Sequence, residues 1–122
     1  MLLNDFFFLF SEVQKEASFN ATVQFNRSHK IFEGHFPGRP VVPGVCMMQM
    51  IKEIMEKIRR RKLQLTSASN MKFLSLIDPN QFAEVNTMIS WVDAEQGSIA
   101  ITASLFSGEL IFFKMNATFQ PE

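Results

Sequence analysis

The residues of this chain that could do chemistry gather in one stretch, Ile31-Phe32-Glu33-Gly34-His35-Phe36-Pro37-Gly38-Arg39-Pro40-Val41-Val42-Pro43-Gly44-Val45. His35 follows Gly34 and precedes a segment stiffened by prolines, so its backbone is expected to be held in place. Pro43-Gly44 then delivers the chain into a helix whose first amide N–H groups lack intrahelical acceptors. Such donors, reinforced by the helix dipole, polarise a carbonyl or hold an anion. A fixed imidazole beside them is suited to act as a general base next to a clamped carbonyl. Read from the residues alone, a satisfied loop histidine is the other reading of His35.

The elements that position this loop are legible on both sides of it. Before it, Ala17, Phe19, Ala21, Val23 and Phe25 alternate with Ser18, Asn20, Thr22 and Gln24, the period of a half-buried strand. After it, from Val45 to about Lys62, Met47, Met50, Ile51, Ile54, Met55 and Ile58 fall on one side of a helix, and Gln49, Glu53, Glu56 and Arg60 on the other. Met71–Ile77, Phe82–Val92, Ser98–Phe106 and Glu109–Phe119 read as strands, with turns at Asp78-Pro79-Asn80, Asp93 to Gly97 and Ser107-Gly108. One long helix followed by an antiparallel run of strands predicts an α+β fold. One helix covers one sheet face, so dimerisation is the expected cover for the remaining apolar surface.

Composition bounds the function. The chain has 122 residues, the length of one domain, and is 47% hydrophobic, enough for a compact core. Lys and Arg number 12 and Asp and Glu number 12, a balance that argues against nucleic-acid binding. One cysteine excludes an intrachain disulfide and suits a reducing compartment, hence the expectation of a cytoplasmic protein. The apolar run Phe6-Phe7-Phe8-Leu9-Phe10 lacks a basic flank and is far short of the roughly 20 residues that span a bilayer. It reads as a core or interface segment, with no membrane partner expected.

The twelve residues Gly34-His35-Phe36-Pro37-Gly38-Arg39-Pro40-Val41-Val42-Pro43-Gly44-Val45 closely resemble the signature of the 3-hydroxyacyl-acyl carrier protein dehydratases of bacterial fatty-acid synthesis. The likeness extends more loosely through Asn70-Met71-Lys72-Phe73 and the strands that follow. It implies the hot-dog fold, an antiparallel sheet wrapped around one long central helix, over a single domain of residues 1–122. It implies a site at a dimer interface, a substrate carried as a thioester on an acyl carrier protein, and neither cofactor nor metal. By resemblance His35 removes the proton at C2 of the acyl chain. The Gly44 amide polarises the thioester carbonyl, and Val45, Phe36 and Pro37 shape the binding cleft.

The dyad acid of that family falls on position 49, which is Gln here. Gln49 has no proton to give, although it can hydrogen-bond a hydroxyl or position a water. Glu53 stands one turn further along the same face, so the acid has either moved there or been lost. In the second case Glu53 belongs to a solvated stripe and pairs with Lys57. Cys46 at the helix start and the run Arg59-Arg60-Arg61-Lys62 are weaker candidates, for a thiol nucleophile and for docking an acidic carrier protein. The expected activity is dehydration of a 3-hydroxyacyl thioester to a trans-2-enoyl thioester. The alternatives are a non-catalytic hot-dog subunit that binds acyl thioester or pairs with an active homologue and, less favoured, a thioesterase.

Overall fold

The computed structural model describes residues 1–33 and 38–122. Its strands are β1 (Phe7–Gln14), β2 (Ser18–Phe25), β3 (Leu63–Phe73), β4 (Glu84–Asp93), β5 (Ile99–Ser107) and β6 (Leu110–Pro121), with one α-helix, α1 (Gly44–Arg59), between β2 and β3. The six strands form one sheet in the order β1-β2-β4-β5-β6-β3. Every neighbouring pair is antiparallel.

Alternation decides which face of the sheet is inside. Phe19, Ala21, Val23 and Phe25 of β2, Val85 and Ile89 of β4, Ile99, Ile101, Ala103 and Leu105 of β5 and Phe113, Met115, Ala117 and Phe119 of β6 are all buried. They join Met47, Met50, Ile51, Ile54 and Met55 of α1 in one apolar cluster. The helix therefore lies along the inner face of the sheet, the hot-dog arrangement expected from the element order.

Three boundaries differ from those read in the sequence. The Phe-rich N-terminus does more than pack: from Phe7 it pairs with β2 as an edge strand, with Phe7 opposite Phe25. The helix stops at Arg59 because Arg60 turns into the left-handed region at φ 55°, and the amides of Arg60 and Arg61 both bond back to the Glu56 carbonyl. The third strand begins at Leu63, well before Met71. Its first half, Gln64 to Asn70, is an exposed edge paired only with β6, so no buried face imprints an apolar alternation on it.

The segment before β1 is tied down at several points. Phe6 is fully buried, stacks on Phe32 at 5.1 Å between ring centroids and meets the His29 ring edge-on at 5.3 Å. His29 Nδ1 accepts from the Ile31 amide at 3.1 Å, which leaves its Nε2 facing Asp5 Oδ2 at 3.0 Å. Asn26 Nδ2 donates to the Asp5 carbonyl at 2.9 Å.

Candidate functional site

The first turn of α1 offers a donor pair. Pro43 is the N-cap, in extended conformation with φ −63° and ψ 145°, and its side chain caps nothing. Its carbonyl accepts from the amides of Cys46 and Met47. Among the described residues the amides of Gly44 and Val45 have no acceptor. Both residues line a groove of about 540 Å³ together with Val41, Val42, Pro43, Met47, Phe73 and Leu76 among others. Val42 is fixed beneath the groove by donating to the Ile77 carbonyl at 2.9 Å. Apolar walls around two free N–H groups at a helix N-terminus make a seat for a carbonyl oxygen on an otherwise greasy chain.

Gly44 also lies close under a neighbouring side chain. A Cβ built there would lie 2.8 Å from Cε1 of Phe73 and 3.1 Å from Cζ. The Phe73 ring thus leans on the helix start, and it remains 52% exposed. Sequence reasoning included Phe73 in the resemblance but gave it no role. Its contact with Gly44 crosses from the end of β3 to the start of α1, and no local pattern carries it.

Gln49 stands one helical turn beyond Val45 on the same face, about 6 Å along the axis. It is half-buried and, with Val45, Lys52, Leu65, Met115 and Phe119, lines a cleft of about 190 Å³. Its Nε2 donates to Glu53 Oε2 at 2.9 Å. No described residue donates to its Oε1.

Glu53 corrects the solvated-stripe reading. The residue is 1% exposed, and Lys57 reaches Glu12 of β1 at 2.7 Å instead. Glu53 Oε1 accepts from the Leu2 amide at 2.9 Å and the Leu3 amide at 2.8 Å, while Oε2 accepts from Leu2 at 3.0 Å and from Gln49. A buried carboxylate is tolerated when its oxygens are saturated in this way. The signal that would have found this, two backbone amides some fifty residues away, has no side-chain signature. At the outer end of the stripe Arg60 is exposed, while Glu56 is half-buried and its Oε2 accepts from the Leu63 amide at 2.9 Å.

His35, Phe36 and Pro37 lie outside the described residues, so the structure places Gly44, Val45, Gln49 and Glu53 of the expected site. Cys46 is buried within α1, and burial pushes its thiol above the ordinary value of 9.0, the opposite of an activated nucleophile. In the basic run, Arg59 bonds Asp93 and lies 6.0 Å from the centre of the Trp91 ring. Arg60, Arg61 and Lys62 are exposed and make no ion pair with a described residue. Among the described residues no helix is long and apolar enough to cross a membrane.

Comparison with known proteins converges on one family. The ApeI-like family model, described as ApeI dehydratase, matches residues 11–106. Among curated proteins, the 3-hydroxyacyl-acyl-carrier-protein dehydratase FabZ of Clostridium acetobutylicum is 29% identical over 93 residues, covering 70% of this chain and 64% of its own length. The FabZ of Rickettsia canadensis is 26% identical over 87 residues, covering 65% of this chain and 60% of its own length. The chain thus spans less than two thirds of these relatives. Among solved structures, the dehydratase heterocomplex ApeI:P from Xenorhabdus doucetiae superposes with a TM-score of 0.69 at 15% identity, over 89% of this chain and 96% of that one. The conserved protein PA5202 from Pseudomonas aeruginosa gives 0.65 at 14% identity, over 93% and 88%. At these identities the structural likenesses establish the hot-dog fold.

Proposed function

The chain belongs to the ApeI-like dehydratase family, and from that premise we propose that it binds a 3-hydroxyacyl chain, held as a thioester on an acyl carrier protein, and removes water to give the trans-2-enoyl thioester. The observation that carries the reading is the pair of amides at Gly44 and Val45, which have no acceptor among the described residues and belong to residues that line an apolar groove at the head of α1. A thioester carbonyl seated on these donors gains stabilisation as negative charge develops on its oxygen. His35 takes the C2 proton. With Gln49 in the acid's place, the same imidazole returns that proton to the 3-oxygen as the C3–O bond breaks, so water leaves and the double bond forms with no second acid. The carrier protein enters this reading from the relatives' names and the signature. The single buried thiol suits a reducing cytoplasm.

Gln49 favours a second reading, a subunit that binds acyl thioester or pairs with an active homologue without turning substrate over. Incubation of the purified protein with a 3-hydroxyacyl carrier-protein thioester separates the two. Enoyl product is expected, and His35→Ala should lower its rate about 10²–10⁴-fold, the usual contribution of a positioned base. Gln49→Glu combined with Glu53→Gln should raise it, because the new acid then stands against an amide and not a second carboxylate. Tight binding without product favours the second reading, and release of a free acid would overturn both in favour of a thioesterase.

A further inference from the structure

The Gln49 and Glu53 side chains form a directed pair. Glu53 receives the Leu2 and Leu3 amides on Oε1, and the Leu2 amide and Gln49 Nε2 on Oε2. Every described group that hydrogen-bonds it is a donor, and three of the four contacts come from the two backbone amides of Leu2 and Leu3. An oxygen of Gln49 turned toward Glu53 would set acceptor against acceptor, so the amide has one permitted orientation. That orientation sends Oε1 the other way. Gln49 lines the cleft it shares with Val45, the residue bearing one of the two free amides at the helix start.

We infer that Glu53 is a positioning residue that locks the Gln49 amide with its oxygen toward the cleft, and that the site thereby selects an acyl chain carrying a hydrogen-bond donor at C3. The inference rests on the thioester reading above and deepens it. A 3-hydroxyl can donate to Gln49 Oε1, whereas a 3-oxo group or an unsubstituted methylene cannot. The segment Leu2 to Leu3 is part of the device, because its amides occupy the carboxylate and hold it against α1. Glu53 itself, enclosed by these donors, does not meet the substrate.

The test is the ratio of two dissociation constants, for a saturated acyl-pantetheine and for its 3-hydroxy counterpart, both with an amide in place of the thioester so that neither is turned over, measured calorimetrically on the full chain. The intact protein should bind the 3-hydroxy ligand about three- to tenfold more tightly, the effect of one added hydrogen bond. Gln49→Met should bring the ratio to about one by removing the acceptor. Glu53→Gln should do the same, since its own amide can donate to Gln49 Oε1 and turn the oxygen inward. A merely structural role for Glu53 would weaken both ligands together and leave the ratio intact, which would overturn the positioning role. Equal affinities in the intact protein would overturn the inference while leaving the thioester reading standing, and failure to bind either ligand would overturn both. Should Glu53→Gln not fold, the side-chain amide protons of Gln49 in the intact protein supply a second measurement. Held by Glu53, they should exchange with solvent more slowly than those of exposed glutamines, and exchange at the exposed rate would refute the lock.

Discussion

Gly44 answers to two neighbours at once, the groove that it lines and the Phe73 ring beside it. Adding one methyl group there puts a carbon 2.8 Å from the ring, but the ring is half exposed and free to swing. Gly44→Ala should therefore fold, displace Phe73 across the amides and lower kcat/KM about tenfold, the equivalent of about 1.4 kcal/mol of transition-state stabilisation. Steady-state kinetics on the double variant Gly44→Ala with Phe73→Ala check the cause, because removing the ring should restore most of the loss. Cys46 makes a different residue-scale prediction. Its thiol is raised by burial, so the folded chain holds that proton more tightly than the unfolded chain does. The resulting stability is complete below the unfolded value of 9.0 and declines as pH rises through it toward the higher folded value. Urea midpoints for Cys46→Ala and the unaltered protein should therefore converge as pH rises above 9.0. Alkylation at pH 8 should be slow in the native protein and fast once it is unfolded. An equally fast native reaction would contradict the burial argument.

At the scale of elements, α1 is held on its inner side by apolar packing and at its middle by Glu53, which binds the helix to the segment ahead of β1. Glu53→Ala would leave the Leu2 and Leu3 amides and the Gln49 amide without their acceptor. It should cost about 2–4 kcal/mol, the range for unpairing buried donors from a charged partner, read as a lower urea midpoint. A change within about 0.5 kcal/mol would mean that water replaces the carboxylate without loss. The same elements show what a sequence discloses. The Met and Ile face of α1 and the alternation of β2 and β5 are legible because each element buries one side, and burial imposes a period. β3 is legible only in part, because an exposed edge places few demands on its side chains. The head of α1 could be read from Pro43-Gly44 and from the signature around it. The burial of Glu53 could not, since the groups that enclose it are main-chain amides of a distant segment. Spacing places the charged stripe correctly at Arg60, fails at Glu53, where another part of the chain crosses the helix, and fails in part at Glu56, whose carboxylate accepts the Leu63 amide.

Across the whole molecule, one group of exposed large apolar side chains gathers beside the site. Val45 is 70% exposed, Leu74 54% and Leu76 56%, and with Phe73 they border the groove at the end of edge strand β3. Apolar side chains so exposed and so close together are unfavourable in water, and the unpaired backbone of an edge strand beside them can pair with another strand. A second copy of the chain answers both demands and would place each groove against its partner. Sedimentation at micromolar concentration should therefore show twice the mass of the chain. The paired substitution Leu74→Asp with Leu76→Asp buries nothing new in the monomer, because both positions already face solvent. In a dimer it would force unpaired carboxylates into the contact, a penalty of several kcal/mol across two copies. The variant should sediment as a folded monomer and lose turnover along with its partner. A stable monomer from the unaltered chain, or a variant that stays dimeric, would place the interface elsewhere and leave the groove to be completed by a different protein.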